Sequence, residues 1–196
     1  MTSKTDEGAL IARLRGGDAS AIEEVYSIYR KPIFGFLVRL ARDRHLAEDL
    51  FQNTWVKVTR SAGRLREDTE LRAWIFTVAR NEFRSYRRWQ LVDVSRLFLF
   101  GVERHDHSHP LETESHATIG LARLERGLAE LGASDREVLL LVCVEGMEPQ
   151  QAATVLGISH AALRQRLGRA RARLKDVVSK IEREPDAHRR AQARQP

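Results

Sequence analysis

The chain has 196 residues, with 33 Lys and Arg against 27 Asp and Glu, a formal net charge of +6 and one cysteine, Cys143. Such a length admits one domain or two small ones, and a lone cysteine excludes an internal disulfide. The positive balance favours a nucleic-acid partner, while the absence of a charged-then-apolar leader and of any near-membrane-length apolar run predicts a reducing cytoplasm and no stable membrane insertion.

Strand signals are almost absent, because apolar residues recur at three and four rather than alternating; an all-α fold is expected. From Asp18 to Tyr29, Ile22, Val25, Tyr26 and Tyr29 share one helical face, and after Pro32 the residues Ile33, Phe36, Leu37 and Leu40 continue the pattern. Leu46 to Val58 and Leu71 to Trp89 form two longer helices, with Gly63 in the loop between them. In the second of these, Leu71, Trp74, Ile75, Val78 and Phe83 read as core, and a basic run, Arg80 to Arg88, covers the other side. These elements make a first helical domain over residues 1–90.

From 91 to 117 the helical pattern fails. Asp93, Ser95, Gly101, Ser108 and Pro110 are expected to break any helix, so this stretch reads as a flexible linker. It carries an adjacent apolar group, Leu97 to Phe100, suited to packing on a domain or docking into a partner groove. A second domain spans 118–182. Ile119, Leu121, Leu124, Leu128 and Leu131 form a helical stripe. Ser134 with Glu137 three residues later predicts a capping box ahead of the apolar run Val138 to Val144, inside which Cys143 reads as a small core residue. The tail, 183–196, has no apolar residue beyond alanine and is expected to fray.

The most informative segment lies within the second domain. Pro149 opens a short helix at a position where its missing N–H costs nothing, and Gly157, suited to the left-handed conformation, closes it. Ser159 is placed to cap the next helix. That helix sets Leu163, Leu167, Ala170 and Leu174 on one inward stripe and Arg164, Gln165, Arg166, Arg169, Arg171 and Arg173 on the remaining surface, with no acidic residue between His160 and Leu174. A solvated face normally mixes signs to form i,i+4 pairs. Like charges left unpaired behind a short helix and a glycine turn are the pattern of a helix-turn-helix recognition helix facing DNA.

The two halves together resemble bacterial RNA polymerase sigma factors of the sigma-70 family. The C-terminal segment from Arg136 to Leu174 resembles region 4, whereas LAEDLFQNTWVKV (Leu46 to Val58) and LRAWIFTVARNEFRSYRR (Leu71 to Arg88) resemble region 2. Both regions joined by a short linker fit the extracytoplasmic-function subgroup. The resemblance implies a protein without catalysis or cofactor that binds core RNA polymerase and directs it to promoters. It places Asp49 and Gln52, with Glu48 nearby, at the polymerase contact. It sets Asn81 beside a flipped base of the melted downstream promoter element, with the loop Ser61 to Leu65 as the other wall. Arg80, Arg84, Arg87 and Arg88 face the same strand, where arginines would neutralise phosphates. Arg164, Gln165, Gly168 and Arg169 match positions facing the duplex upstream element, with His160 and Arg166 on the same helix. An anti-sigma factor, often membrane-anchored, is a further implied partner and would hold the protein at the inner membrane. Gly132, Pro149, Gln150, Gln151, Ala162, Gln165 and Ser85 depart from the family's usual residues and imply a divergent promoter preference.

Two other readings compete. A free-standing helix-turn-helix regulator would bind duplex DNA without polymerase, but it leaves the Arg80 to Arg88 run and the Asp49/Gln52 face unexplained. Metal binding through His105, Asp106, His107, His109 and His116 rests on composition alone, without a supporting shell.

Overall fold

A computed structural model of the chain describes residues 4–97 and 117–192, and every element among them is helical. Helices α1 (Lys4–Arg15), α2 (Ala19–Ala41), α3 (Arg44–Ser61) and α4 (Leu71–Leu97) are followed by α5 (Ala117–Glu130), α6 (Ala133–Leu139), α7 (Pro149–Leu156) and α8 (His160–Gln192). They form two compact units, the first built on α1 to α4 and the second on α5, α6 and α8.

In the first unit, α2 presents Ala21, Val25, Ile33, Phe36, Leu37 and Leu40 to the core. The helix is continuous across Pro32, as the apolar pattern running on beyond it suggested. Burial on both sides of the proline outweighs the hydrogen bond it cannot donate. Asp18 starts the helix by accepting from the Ser20 backbone N–H at 2.9 Å, and Arg42 ends it in the left-handed region at φ 62°. Asp43 then caps α3 by accepting from the Leu46 N–H at 3.1 Å. Against α2, α3 buries Ala47, Leu50, Trp55 and Val58, and α4 buries Leu71, Ala73, Ile75, Phe76, Ala79 and Phe83. Phe36 and Phe76 meet edge to face, 5.3 Å between centroids. Trp74 and Val78, expected in this core, are only half-buried.

Helix α1 is an addition to the sequence-based picture. It buries Leu10, Ile11 and Leu14, and its Glu7 Oε1 accepts from the Leu71 N–H at 2.8 Å, capping the start of α4. Arg15 reaches the same connection, donating to Glu67 at 2.6 Å. Helix α4 also outruns its expected end. It continues through Asp93 and Ser95 to Leu97, so neither residue breaks it. Both carry only a modest helix penalty in a helix already propagating. The remainder of the apolar group, Phe98 to Phe100, and the histidines from His105 to His116 lie outside the described residues.

In the second unit, Leu128 of α5 and Leu131 just beyond its end are buried, whereas Leu121 and Leu124 of the same stripe are exposed. Gly127 lets α5 pack closely on α8, since a Cβ there would lie 2.8 Å from Val178 Cγ2 and 3.1 Å from Leu174 Cδ1. The expected capping box does not form. The N-cap of α6 is Gly132, without a side-chain cap, Ser134 is exposed and Glu137 is buried. Starting the helix earlier turns Glu137 inward, away from the cap position. Helix α6 then widens into a π-helical turn over Leu140–Val144, closed by Glu145 N–H donating to Leu140 O at 2.8 Å. That turn rotates Cys143 to the surface, so it is not the core residue its apolar neighbours suggested. Helix α8 continues to Gln192, past the point where a frayed tail was expected.

Candidate nucleic-acid interface

The turn between α7 and α8 forms as local chemistry dictates. Gly157 takes φ +62°, its N–H donates to Thr154 O at 3.1 Å, and the Ile158 N–H donates to Ala153 O at 3.1 Å. This pair of bonds is the Schellman closure that a left-handed glycine permits. Two residues later Ser159 Oγ accepts from the Ala162 N–H at 3.2 Å and starts α8. Leu163, Leu167 and Ala170 are buried, and Leu174 is half-buried, so the inward stripe lies where its spacing put it.

The outward face divides into two groups. His160, Arg164, Gln165, Gly168 and Arg169 are exposed and Arg166 is half-buried. Arg164, Arg166 and Arg169 have no ion-pair partner among the described residues. One turn further on the arginines are engaged from within. Arg173 donates to Asp135, whose carboxylate is largely buried, and Arg171 donates to Cys143 Sγ at 3.6 Å. The expectation of like charges left unpaired therefore holds as far as Arg169 only. Arg171 and Arg173 contribute to how α8 seats on α6 and on the π-helical turn.

The first unit carries a second basic surface. Between α3, the short 3-10 turn Ala62–Arg64 and α4 lies a cleft of about 500 Å³, lined by Lys57, Arg60, Ser61, Arg64, Asn81 and Glu82 with Val78 as its apolar wall. Lys57 Nζ donates to Glu82 Oε1 at 2.5 Å, joining the two helices, and Ser61 Oγ donates to the Lys57 carbonyl. Glu82 is nearly buried, whereas Arg60, Arg64 and Asn81 are exposed. Of the arginines expected beside it, Arg84, Arg87 and Arg88 are exposed, and Arg88 bonds Ser85 Oγ at 3.2 Å. Arg80, on the same helix, is buried with 6% exposure. Sequence reading gave the loop Ser61 to Leu65, and Arg64 with it, as a wall, but missed Lys57, Arg60 and Glu82. Their approach depends on how α3 crosses α4, which spacing within one helix does not reveal. Tyr86 is half-buried with its hydroxyl bonded to Gln90 at 2.6 Å, while Trp89 is 62% exposed.

On α3, Asp49 and Gln52 are exposed and Glu48 is half-buried, its carboxylate accepting from Arg44 at 3.1 Å. Their face adjoins an aromatic cluster in which Phe51 lies 6.0 Å from Trp55 and 5.5 Å from Phe34. The Trp55 indole N–H is buried without a hydrogen-bond partner. No helix among the described residues is long and apolar enough to cross a membrane.

A helix-turn-helix with an exposed arginine face, and a cation-lined cleft on the first unit, are the features of a helical DNA-binding protein. Comparison with known proteins narrows the class. Residues 25–90 match Sigma-70 region 2 and residues 121–174 match Sigma-70, region 4. The RNA polymerase sigma factor CnrH of Cupriavidus metallidurans is 35% identical over 142 residues, covering 67% of this chain and 72% of that protein. The sigma factor CarQ of Myxococcus xanthus is 31% identical over 174 residues, covering 87% and 96% respectively. The structure of the sigma factor RpoE from Bartonella quintana, in complex with the anti-sigma factor NepR, superposes with a TM-score of 0.67 at 27% identity, covering 80% of this chain and 96% of that one.

The chain belongs to the sigma-70 family of RNA polymerase sigma factors, in its extracytoplasmic-function subgroup. It is a sigma factor, which binds core RNA polymerase and directs promoter-specific initiation, and the family does no chemistry of its own.

Proposed function

We propose that the two basic surfaces divide promoter recognition between them. The exposed face of α8 from His160 to Arg169 reads the duplex upstream element, with Arg164, Gln165 and Arg169 at base edges and His160 and Arg166 at its margins. Arginine suits guanine and glutamine suits adenine through paired hydrogen bonds in the major groove. Gly168 carries the argument best. A Cβ at this position would meet nothing within 4 Å, so no neighbour in the chain requires a glycine in the middle of this helix. Glycine there costs stability relative to alanine, which is rational where a ligand approaches the backbone closely.

The cleft beside Asn81 receives an extruded base of the melted downstream element. An amide offers both donor and acceptor to a base edge once pairing is lost, and Arg60, Arg64, Arg84, Arg87 and Arg88 neutralise the strand. Glu48, Asp49 and Gln52 on α3 form the polar part of the core-polymerase contact. By analogy with its relatives, an anti-sigma factor covers these surfaces in the uninduced cell. The protein works in the bacterial cytoplasm, at the inner membrane when that inhibitor is membrane-anchored. The segments divide accordingly into a region 2 domain and a region 4 domain.

The test is transcription in vitro from genomic fragments, with core polymerase alone and with the protein added. Discrete transcripts appearing only with the protein, whose start sites share an upstream and a downstream element, are the expected result. Specific duplex binding without polymerase association or transcripts would transfer the reading to a free-standing regulator.

A further inference from the structure

We infer that the Lys57–Glu82 ion pair is the positioning and specificity element of the cleft on the first unit, holding the Lys57 ammonium as a base-edge donor instead of a phosphate contact; this rests on the cleft receiving an extruded base. The observation is an asymmetry among the cations lining one cleft. Arg60 and Arg64 are exposed and have no ion-pair partner among the described residues, so they are available to a strand's phosphates. Lys57 is held by Glu82 at 2.5 Å, and the Glu82 carboxylate is only 9% exposed while the lysine is 56% exposed.

A nearly buried carboxylate at the wall of a site for a polyanion is unfavourable by itself. It becomes useful if its task is to fix a cation. A lysine ammonium is a compact charge on a flexible stem, and left free it follows the nearest phosphate oxygen. An ammonium has three N–H donors. With one committed to Glu82, the others remain at the wall of the cleft that Asn81, the neighbour of Glu82 on α4, also lines. With Arg60 and Arg64 left to the phosphates, the cleft presents to a base the Lys57 donors and the Asn81 amide, the Glu82 carboxylate being engaged. Such a wall favours a base bearing a carbonyl oxygen over adenine, which has none.

The experiment uses holoenzyme assembled from core polymerase and the full chain. Its probes are DNA forks of a promoter mapped by the transcription test, with each base and an abasic site placed in turn at every single-stranded position of the downstream element. Affinity is followed by fluorescence anisotropy as salt is varied. The wild type is expected to discriminate against adenine at one position. Glu82→Ala and Lys57→Met each reduce that discrimination about ten-fold, the scale of one charged hydrogen bond. Freeing Lys57 for phosphate makes the salt slope of Glu82→Ala steeper by about 0.7, as one more contact to a single strand does. Lys57→Met lacks that steepening, and Lys57→Arg, which keeps both charge and donors, retains the discrimination. Binding to core polymerase and thermal melting monitor folding separately. Unchanged discrimination in Glu82→Ala and Lys57→Met, whatever their stability, would overturn the role of the pair while leaving the cleft's function intact. A wild type indifferent to the base at every position would remove both.

Discussion

Gly168 shows how a single residue can be read against stability. It lies on the outer face of α8 with open space where a side chain would be. Replacing it with alanine should stabilise the free protein by about 0.5–1 kcal/mol, the entropic cost of glycine inside a helix. The same methyl group should weaken binding to the mapped upstream element, because it intrudes where DNA approaches. Urea unfolding and duplex binding of Gly168→Ala measure the two effects, and the expected signs are opposite. Weakened stability together with unaltered binding would mean that the glycine has no recognition role. Asp18 offers a test on the pH axis. Hydrogen bonds from Ser20 and then Arg13 hold its carboxyl down at about 2. A depressed folded-state value means that its contribution is complete above the unfolded carboxylate range, near 4. It is lost as pH falls through 2. The stability advantage of wild type over Asp18→Asn should therefore be constant above about pH 4 and vanish towards about pH 2. Denaturant unfolding across that range measures it.

Along an element, α8 separates recognition from seating. Arg164 and Arg169 face outward without an ion-pair partner among the described residues, whereas Arg173 is held by Asp135 of α6. Removing a base-reading arginine should cost about 1–3 kcal/mol of promoter affinity and relax specificity at one base pair. Arg164→Ala and Arg169→Ala are expected to do this with unchanged unfolding curves. Arg173→Ala should instead lower stability and spare the base preference, since it leaves the largely buried Asp135 carboxylate without its cation. Binding to duplexes mutated at each upstream position distinguishes the two outcomes. The same helix explains what was legible in the sequence. Proline, glycine and serine specify α7, the turn and the start of α8 through bonds spanning only a few residues, so their spacing sufficed. The fate of Arg173 depends on a residue 38 positions away, and the Glu7 cap on Leu71 spans 64. Helix α1 was missed for that reason: its value lies in contacts that the later chain supplies. The cleft was half legible. Asn81 and the loop beside it stood out, while Lys57 and Glu82 acquire meaning only where α3 and α4 cross.

At the scale of the whole molecule, each unit buries its own core, which predicts that one can be destabilised without the other. Arg136 supplies the means. Its buried guanidinium donates to the carbonyls of Leu128 at 2.8 Å, Ala129 at 2.9 Å and Leu131 at 2.6 Å, closing the C-terminal end of α5. Carbonyls at a helix end have no partner within the helix, and a cation there also meets the negative end of its dipole. Arg136→Met fills similar space but supplies no donors, and should destabilise the second unit by on the order of 3 kcal/mol. The tryptophans make the outcome readable. Trp55, Trp74 and Trp89 all belong to the first unit, so their fluorescence follows that unit alone, whereas helical circular dichroism follows both. In Arg136→Met, part of the dichroism should be lost at lower urea while the fluorescence midpoint stays fixed. Coincident shifts in both signals would show that the units unfold as one, and a single free energy would then describe the chain. Separate transitions would suit the proposed division of labour, since each surface then keeps its geometry on a core of its own while polymerase and promoter bring the two to bear on one DNA.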